Sequence, residues 1–467
     1  MRIIMFSMTP LYAHQSMGGA QKQLKKVAIY LGELGHDVQI LCTERADVNS
    51  PFYWHPNVKI EPIFRFKQPF PEPYATDIYN LSNMVQILGD YLKGADRFYN
   101  HDGGMIFPYV YQDIPTVVSL RSVLFAETLQ SGFLFQGDAL ILPSQHSRQV
   151  WLGTAGRFFP NLDERIKVIV NGLDWEQYQR QDASALAARL GLDCEQYQYI
   201  LYPHRPDDEK GIRQTITVMQ KLRYEYGLER VKVLVPRWID HQLASHVQAY
   251  YRSLTDEIAE KGLQDCFIFH DWISDNEMPL YYSLGSLTLA LGRYVETFGN
   301  TVPESLACGT PVIAAKVGPY RDLYPDELVY KVDYGDVEQA AAYANEILNK
   351  RQVIDETQID FLKANFSQVD MVEAYADIIL NVKKQTPLVY VHQSMDSYDT
   401  FQLAAWCYIS ERGVYHDFRA EYRSEPAALV DMLSQEGRID FQRAEEKGIS
   451  KADILDWYRD GYLILDI

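Results

Sequence analysis

Cysteine is scarce in this 467-residue sequence. The five cysteines are odd in number, widely separated and nowhere at the spacing of paired metal ligands; they are Cys42, Cys194, Cys266, Cys308 and Cys407. A disulfide framework or a zinc finger would need cysteines at regular, short spacings. The pattern therefore argues against both and indicates a reducing compartment.

Long apolar runs and an excess of positive charge are also lacking. No uninterrupted apolar stretch is long enough to span a bilayer, and Met1-Arg2 leads into a strand without the charged region and apolar core of a secretory signal. Lysine and arginine number 44 against 63 aspartates and glutamates, a net charge of −19. We therefore expect a cytoplasmic protein without a transmembrane segment, a nucleic-acid partner or a broadly basic membrane-docking surface.

What the sequence does contain is a repeated alternation of short apolar strands and helices. A βαβ unit occupies residues 2–43, with Gly18-Gly19 in its first turn. A fresh strand at 199–202 restarts the alternation in the second half. The pattern predicts an α/β protein in which two doubly wound, Rossmann-like domains, 1–190 and 191–366, face each other.

Residues 387–467 exceed what two such domains need. They follow a helix predicted at 367–384, open on a strand-like segment at Leu388–Val391, and continue with helical stretches and a terminal strand. The pattern predicts a small appended α/β domain resembling a winged helix. Its acidic character argues against DNA binding.

The densest functional signal lies between Ala290 and Asp322. A short apolar strand ends there in a glycine turn, and a short helix and a second strand follow. The turn places the backbone N–H groups of Gly299, Asn300 and Thr301 at a helix start. Unpaired donors and the positive end of the helix dipole favour an anion at such a position.

Two carboxylates flank this turn. Glu296 stands just past the carboxyl end of a strand, where open parallel sheets place their ligands. Glu304 has two interpretations: it accepts hydrogen bonds from ligand hydroxyls, or it pairs with Thr301 in a Thr-x-x-Glu capping box. A phosphate-binding turn between two acceptor groups predicts a phosphorylated ligand that also carries hydroxyls.

Two cations, Arg205 and Lys210, follow the strand at 199–202. Their position suits a diphosphate, and Gly211 allows the backbone to approach closely. Cations at a helix start oppose the helix dipole, which disfavours a purely structural role. No Asp-x-Asp motif stands at a strand end, so we expect protein cations to act in place of a metal ion and expect no cofactor.

The motif Glu296-x-Phe298-Gly299-x-x-x-x-Glu304, followed by Ser-Leu-Ala-Cys-Gly-Thr-Pro-Val, resembles the donor-site signature of the group-1 (family 4-like) retaining glycosyltransferases. These enzymes have the GT-B fold, in which two Rossmann-like domains face each other. The Arg205 to Lys210 segment is similar to the donor-phosphate motif of the same family. The likeness covers roughly residues 1–384 and is strongest between 199 and 322.

The resemblance implies a hexosyltransferase that moves a sugar from a nucleoside-diphosphate sugar to an acceptor, with retention of configuration and without a metal. The acceptor class stays open: a saccharide, a lipid-linked compound or a small molecule. The resemblance also implies that the helix at 367–384 returns to brace the first domain. The core would then be complete, so deletion after about Thr386 is expected to leave a folded, nucleotide-binding protein.

The resemblance further implies a role for each site residue. Arg205 and Lys210 neutralise the diphosphate, and Glu296 binds the donor-sugar hydroxyls. Glu304 accepts the ribose hydroxyls. The other residues implied in nucleotide or sugar binding are Gly18, Gly19, Ile273, Phe298, Gly299, Asn300 and Thr301.

Arg121 departs from the family pattern, as does Gly292-Arg293, which replaces the usual Pro-Ser. The family commonly has a histidine near the reacting sugar at the position of Arg121, and His101 could take that place. Arg121 would contact a donor phosphate or an acidic acceptor, or else form a salt bridge with an acid such as Glu127.

Two rival functions remain. One is a GT-B epimerase or phosphorylase, and the other is a catalytically silent GT-B protein that binds a nucleotide sugar or a partner. Arg121 favours the silent protein. The intact set of Arg205, Lys210, Glu296 and Glu304 favours an enzyme.

Overall fold

The computed structural model describes residues 1–14, 16, 18–65, 76–104, 106–237, 245–392, 394 and 400–466. An eight-stranded sheet in the order β3-β4-β2-β1-β5-β6-β7-β8 forms the N-terminal unit. Its elements are β1 (Arg2–Ser7), α1 (Gly19–Glu33), β2 (Asp37–Thr43), β3 (Phe52–His55), β4 (Val58–Phe64), α2 (Ile78–Leu92), β5 (Arg97–His101), α3 (Pro108–Tyr111), β6 (Thr116–Ser119), α4 (Ala126–Phe133), β7 (Ala139–Leu142), α5 (Gln145–Gly153), α6 (Leu162–Arg165) and β8 (Ile166–Val168). Neighbouring strands are parallel except β3 and β4, which are antiparallel.

A six-stranded parallel sheet in the order β11-β10-β9-β12-β13-β14 forms the middle unit. The elements from here to the last long helix are α7 (Ser184–Leu190), β9 (Gln198–Leu201), α8 (Ile212–Tyr224), β10 (Val231–Pro236), α9 (Ser245–Glu260), β11 (Phe267–His270), α10 (Met278–Leu284), β12 (Leu287–Ala290), α11 (Thr301–Ala307), β13 (Val312–Ala315), β14 (Tyr330–Val332), α12 (Val337–Lys350), α13 (Glu356–Asn365) and α14 (Gln368–Asn381). The predicted fold class, an α/β protein with two Rossmann-like domains, is confirmed. The proposed boundary near 190 lies between the two sheets.

Helices cover both faces of each sheet, so the central strands are buried on both sides. All four residues of β7, β12 and β13 are buried. Helix α14 crosses back onto the N-terminal unit, where its buried residues Met371, Tyr375 and Ile379 join the core of α1, β1 and β2. This packing agrees with the helix that the resemblance implied would return to brace the first domain.

Two three-stranded antiparallel sheets, β19-β15-β20 and β16-β17-β18, form the C-terminal unit of residues 400–466. Its elements are β15 (Thr400–Leu403), β16 (Cys407–Ser410), β17 (Gly413–His416), β18 (Glu421–Arg423), α15 (Ala427–Glu436), β19 (Arg438–Asp440), α16 (Phe441–Glu446), α17 (Lys451–Arg459) and β20 (Leu463–Leu465). The expected strand at Leu388–Val391 is wrong. That segment is held to the N-terminal unit by hydrogen bonds from Leu388 N to Gln136 Oε1 (2.8 Å), from Gln136 Nε2 to the Leu388 carbonyl (3.4 Å) and from Val391 N to the Phe158 carbonyl (2.9 Å).

The C-terminal unit packs into the other two units, contrary to the expected separable appendage. One hydrophobic core contains Trp151 of the N-terminal unit, Val295 and Val317 of the middle unit, and Trp457 and Leu463 of the C-terminal unit. Removing residues after Thr386 would expose this core to water, so the packing argues against a well-folded truncated chain. The outcome of the deletion itself stays a prediction. Within the described ranges, no helix has both the length and the apolar character needed to cross a membrane.

Candidate functional site

A cleft of about 520 Å³ lies between the N-terminal and middle units. Its walls come from loops that follow the carboxyl ends of strands in both sheets, which is where open α/β sheets bind ligands. The cleft is lined by every residue that the sequence assigned to the site, namely Gly18, Gly19, Arg121, Arg205, Lys210, Ile273, Glu296, Phe298, Gly299, Asn300, Thr301 and Glu304. Folding thus brings together motifs that are distant in sequence.

The turn before α11 depends on Gly299. This glycine has a φ of 83°, a conformation that residues with a Cβ rarely adopt. A Cβ here would also come within 2.4 Å of a ring carbon of Tyr320. Two independent constraints therefore require glycine at this point of the cleft wall.

The predicted capping box of Thr301 and Glu304 is wrong. The N-cap of α11 is Asn300, whose side chain makes no capping hydrogen bond. The buried Glu304 carboxylate instead accepts hydrogen bonds from the hydroxyls of Tyr282 (3.0 Å) and Tyr178 (3.4 Å). A buried carboxylate needs donors, and two tyrosines supply them here in place of the helix end.

Lys210 and Glu296 contact each other in the wall of the cleft. Lys210 Nζ lies 2.5 Å from Glu296 Oε1, and the two side chains are 17% and 26% exposed. Lys210 Nζ also lies 3.4 Å from the centre of the Tyr294 ring, at cation–π distance. The ammonium group is therefore held between a carboxylate and an aromatic face.

Two glycines allow the Lys210 loop to reach the end of β12. A Cβ on Gly211 would lie 2.5 Å from Gly292 N, and one on Gly292 would lie 2.3 Å from the Glu209 carbonyl oxygen. The two backbones pass too closely for larger residues. Gly292, noted above as a departure from the family pattern, has this packing reason.

Arg205 lies on the same loop as Lys210 and lines the cleft. Its side chain is 45% exposed, and its Nε lies 3.3 Å from Asp207 Oδ2. Arg205 interacts electrostatically with Tyr294, the residue whose ring contacts Lys210 Nζ. Both predicted cations therefore converge on one end of the cleft.

Arg121 enters the cleft from the N-terminal unit. Its guanidinium donates hydrogen bonds to the Tyr375 hydroxyl (3.1 Å) and to Asn171 Oδ1. Asn171 Nδ2 in turn donates to Asn300 Oδ1 (2.8 Å) across the cleft. Among the described residues the guanidinium has neutral hydrogen-bond partners, so the alternative of a structural salt bridge to an acid such as Glu127 is wrong.

His101 does not take the place of the family histidine. It is buried between the Tyr99 hydroxyl (2.9 Å from Nδ1) and the Ala20 carbonyl oxygen (2.8 Å from Nε2). Burial, helped by the charge of Arg121, lowers the pKa of His101 to about 3. A neutral ring with both nitrogens engaged points to a structural role, and it is the next residue, Asp102, that lines the cleft.

Lys22 belongs to a cluster of lysines on α1 that the sequence leaves open as a local basic patch; it was not predicted as a site residue, yet it joins the two walls. Its Nζ lies 3.0 Å from Asp275 Oδ1 of the middle unit. Burial lowers the pKa of Lys22, but the charges of Glu304 and Asp275 outweigh that effect and raise it overall. The sequence signals were the neighbouring Lys25 and Lys26 and the position of Lys22 three residues after Gly19.

In the described part of the chain, no group of three or more histidine, cysteine, aspartate and glutamate side chains is arranged to hold a metal ion. Metal independence stays a prediction.

Comparison with known proteins bears on what this cleft does. Residues 161–364 match the model of the family described as glycosyl transferases group 1. The α-monoglucosyldiacylglycerol synthase of Streptococcus pneumoniae is 24% identical over 425 residues, which are 83% of this chain and 88% of that protein.

Solved structures share the fold at lower sequence identity. The sucrose-phosphate synthase of Thermosynechococcus elongatus has a TM-score of 0.64 and 18% identity, over 81% of this chain and 98% of that one. HepE of Anabaena in complex with UDP and glucose has a TM-score of 0.63 and 18% identity, over 81% of this chain and 99% of that one. These likenesses agree with the resemblance that the motif at 296–304 suggested.

Proposed function

We propose that this chain, a group 1 glycosyltransferase of the GT-B fold, transfers a hexosyl group with retention from a nucleoside-diphosphate sugar to an acceptor hydroxyl. The observation that carries the proposal is the convergence of Arg205, Lys210 and Glu296 at one end of the cleft. This places two cations and a sugar-binding carboxylate side by side. A diphosphate joined to a sugar requires that combination.

The two cations would stabilise the leaving group. Negative charge accumulates on the diphosphate as its bond to the sugar breaks, and preorganised cations lower the free energy of that transition state. The Lys210 ammonium has three donors, of which Glu296 takes one, so others remain for phosphate oxygens. Arg205 lines the same cleft and would bind a second pair of oxygens.

Glu296 would fix the donor sugar. Its carboxylate is oriented by Lys210 and retains lone pairs for sugar hydroxyls. In the proposed same-face reaction, the bond between the anomeric carbon and the phosphate oxygen breaks as the acceptor oxygen forms its bond on that face. The acceptor proton passes to the departing diphosphate, so the reaction needs no carboxylate nucleophile.

The nucleoside would lie toward Glu304 and Ile273. Each Glu304 oxygen accepts one tyrosine hydrogen bond and can accept another from a ribose hydroxyl. Ile273 is buried in the wall and offers an apolar surface for a base. Because one protein of the same fold is found with UDP and glucose, UDP is the first nucleotide to test.

The acceptor would approach from the N-terminal unit. Phe125 lines the cleft there and is 51% exposed, which offers apolar contact to part of an acceptor. The relative named α-monoglucosyldiacylglycerol synthase makes a glycerolipid the first acceptor to test. Saccharides and small molecules are the alternatives.

A transfer assay tests the proposal. The purified full-length protein is incubated with UDP-, GDP- or ADP-sugars and with diacylglycerol in mixed micelles, monosaccharides or sugar phosphates, and products are identified by mass spectrometry. We expect release of nucleoside diphosphate that depends on acceptor, together with a product heavier by one hexosyl group. Orthophosphate-dependent release of sugar phosphate would indicate a phosphorylase, an altered free sugar an epimerase, and binding without turnover a silent protein.

A further inference from the structure

A buried ion pair joins the C-terminal unit to the middle unit just behind the cleft. Arg321 Nη1 lies 2.8 Å from Asp417 Oδ1 and 3.0 Å from Oδ2. The Arg321 side chain is 8% exposed and that of Asp417 is fully buried. Arg321 Nη2 also donates to the Ala405 carbonyl of the C-terminal unit (2.8 Å). Neither charged residue lines the cleft.

The same carboxylate fixes both ends of one 3₁₀ turn. This turn spans Gly318–Arg321. Asp417 Oδ2 accepts a hydrogen bond from Gly318 N (3.2 Å) at its start, while Arg321 at its end holds the ion pair. Burial raises the pKa of Asp417 even though Arg321 opposes the shift. The carboxylate is therefore costly to keep in the interior, and its position depends on the partners that the turn supplies.

The 3₁₀ turn packs directly against two residues of the proposed site. A Cβ on Gly318 would lie 3.0 Å from the Glu296 carbonyl oxygen, so the two backbones are in contact. The Tyr320 ring lies against Gly299, where a Cβ would come within 2.3 Å of the Tyr320 hydroxyl oxygen. A shift of the turn therefore moves Glu296, Gly299 or both.

We propose that Asp417 is a positioning residue, through which the C-terminal unit sets the placement of Glu296 and Gly299 for sugar transfer. The inference rests on the proposed function of Glu296 and on the expected place of Gly299 in the phosphate-binding turn. It also gives the C-terminal unit a role in the reaction, although the residues of that unit do not touch the cleft. Displacements of about 1 Å at a reacting centre can reduce rates a hundredfold, so a support of this kind is sufficient to control turnover.

The test replaces the ion pair by apolar residues of similar size. Removing one member of a buried pair leaves an uncompensated charge, whereas replacing both often leaves stability unchanged. We therefore compare the double variant Arg321→Met/Asp417→Leu with Asp417→Asn. The comparison distinguishes a loss of stability from a loss of correct placement of the site residues. Tyr458→Phe is the matched control, because it removes a hydrogen bond (2.6 Å, from Arg157) between the C-terminal and N-terminal units without touching the turn.

We expect the double variant to melt close to the wild type and to lose about tenfold or more in kcat. The Kd for nucleoside diphosphate should rise by a smaller factor than kcat falls, because Arg205 and Lys210 lie on another loop. Hydrogen–deuterium exchange of residues 294–304 should be faster than in the wild type. Tyr458→Phe should match the wild type in kcat and in exchange.

A folded double variant with wild-type kcat and wild-type exchange at 294–304 would overturn the proposal, as would an equal loss of kcat in Tyr458→Phe. Absence of transfer by the wild type would count against the proposed function instead. In that case the exchange of 294–304, which needs no activity, still decides whether Asp417 holds this segment in place.

Discussion

Replacing Lys210 by glutamine separates the structural role of its charge from its role toward a ligand. Lys210 Nζ lies 2.5 Å from Glu296 Oε1, and both side chains are less than a third exposed. Removing either charge leaves the other without its partner, at a cost of about 1–3 kcal/mol in the free energy of unfolding. The two losses should not add, because Lys210→Gln/Glu296→Gln restores two neutral groups that can hydrogen-bond.

Nucleotide affinity should follow a different pattern. A charge-assisted hydrogen bond to a diphosphate contributes about 1.5–3 kcal/mol, so Lys210→Gln should raise the Kd for nucleoside diphosphate roughly ten- to 150-fold. Glu296→Gln should leave that Kd within about threefold of the wild type but strongly reduce turnover, because Glu296 is assigned to the sugar. In the double variant, stability recovers while affinity stays low.

The assays are denaturant unfolding for stability, calorimetric titration for affinity and product formation for turnover, on the wild type and all three variants. The reasoning is refuted if Glu296→Gln raises the Kd for nucleoside diphosphate as much as Lys210→Gln does. It is also refuted if the double variant recovers wild-type affinity, because the role of Lys210 would then be only to pair with Glu296.

Three further predictions follow from the contacts of single residues. Glu304→Ala should raise the Kd for nucleosides as well as for nucleoside diphosphates. It should also lower the free energy of unfolding by about 1–3 kcal/mol, because two buried tyrosine hydroxyls lose their acceptor. Tyr178→Phe should have a smaller effect on both quantities, which calorimetry and thermal melting measure. Arg121→Lys should lose the hydrogen bonds to Tyr375 and Asn171, lowering kcat and also the melting temperature, and unchanged values of both would contradict the assignment. Burial lowers the pKa of His101 and of His146 to about 3, so the unfolded chain binds their protons first as pH falls below about 6.5. Stability should therefore decline toward acid, by about 2 kcal/mol per histidine at pH 5, and a pH series of denaturant midpoints for His101→Gln should show a shallower decline.

Most of the fold was predictable because it rests on local patterns. Buried parallel strands such as β7 and β13 are unbroken apolar runs. The C-terminal unit was not predictable in the same way. The segment at Leu388–Val391 has strand composition but finds side-chain and loop partners, Gln136 and Phe158, instead of a neighbouring strand.

In the site, too, residues of a local motif could be predicted, whereas contacts between distant segments could not. Residues within a compact motif, such as Glu296 and Gly299, were identified because their spacing survives in the sequence. Side-chain pairs that join different units were missed, since nothing in the sequence connects Lys22 to Asp275 or Arg321 to Asp417. The capping box failed for a related reason: the sequence shows Thr301 three residues before Glu304, but it does not show the two tyrosines that engage the carboxylate.

The central claim is that a nucleoside-diphosphate sugar binds in this cleft through Arg205 and Lys210. Calorimetric titration of the full-length protein with UDP, GDP and ADP, in parallel with Arg205→Gln/Lys210→Gln, tests it most directly. The account predicts that one of these nucleotides binds once per chain, and that the folded double variant binds it about a hundredfold more weakly or worse. No binding of any of the three at millimolar concentration, or equal affinity in wild type and variant, would contradict the account.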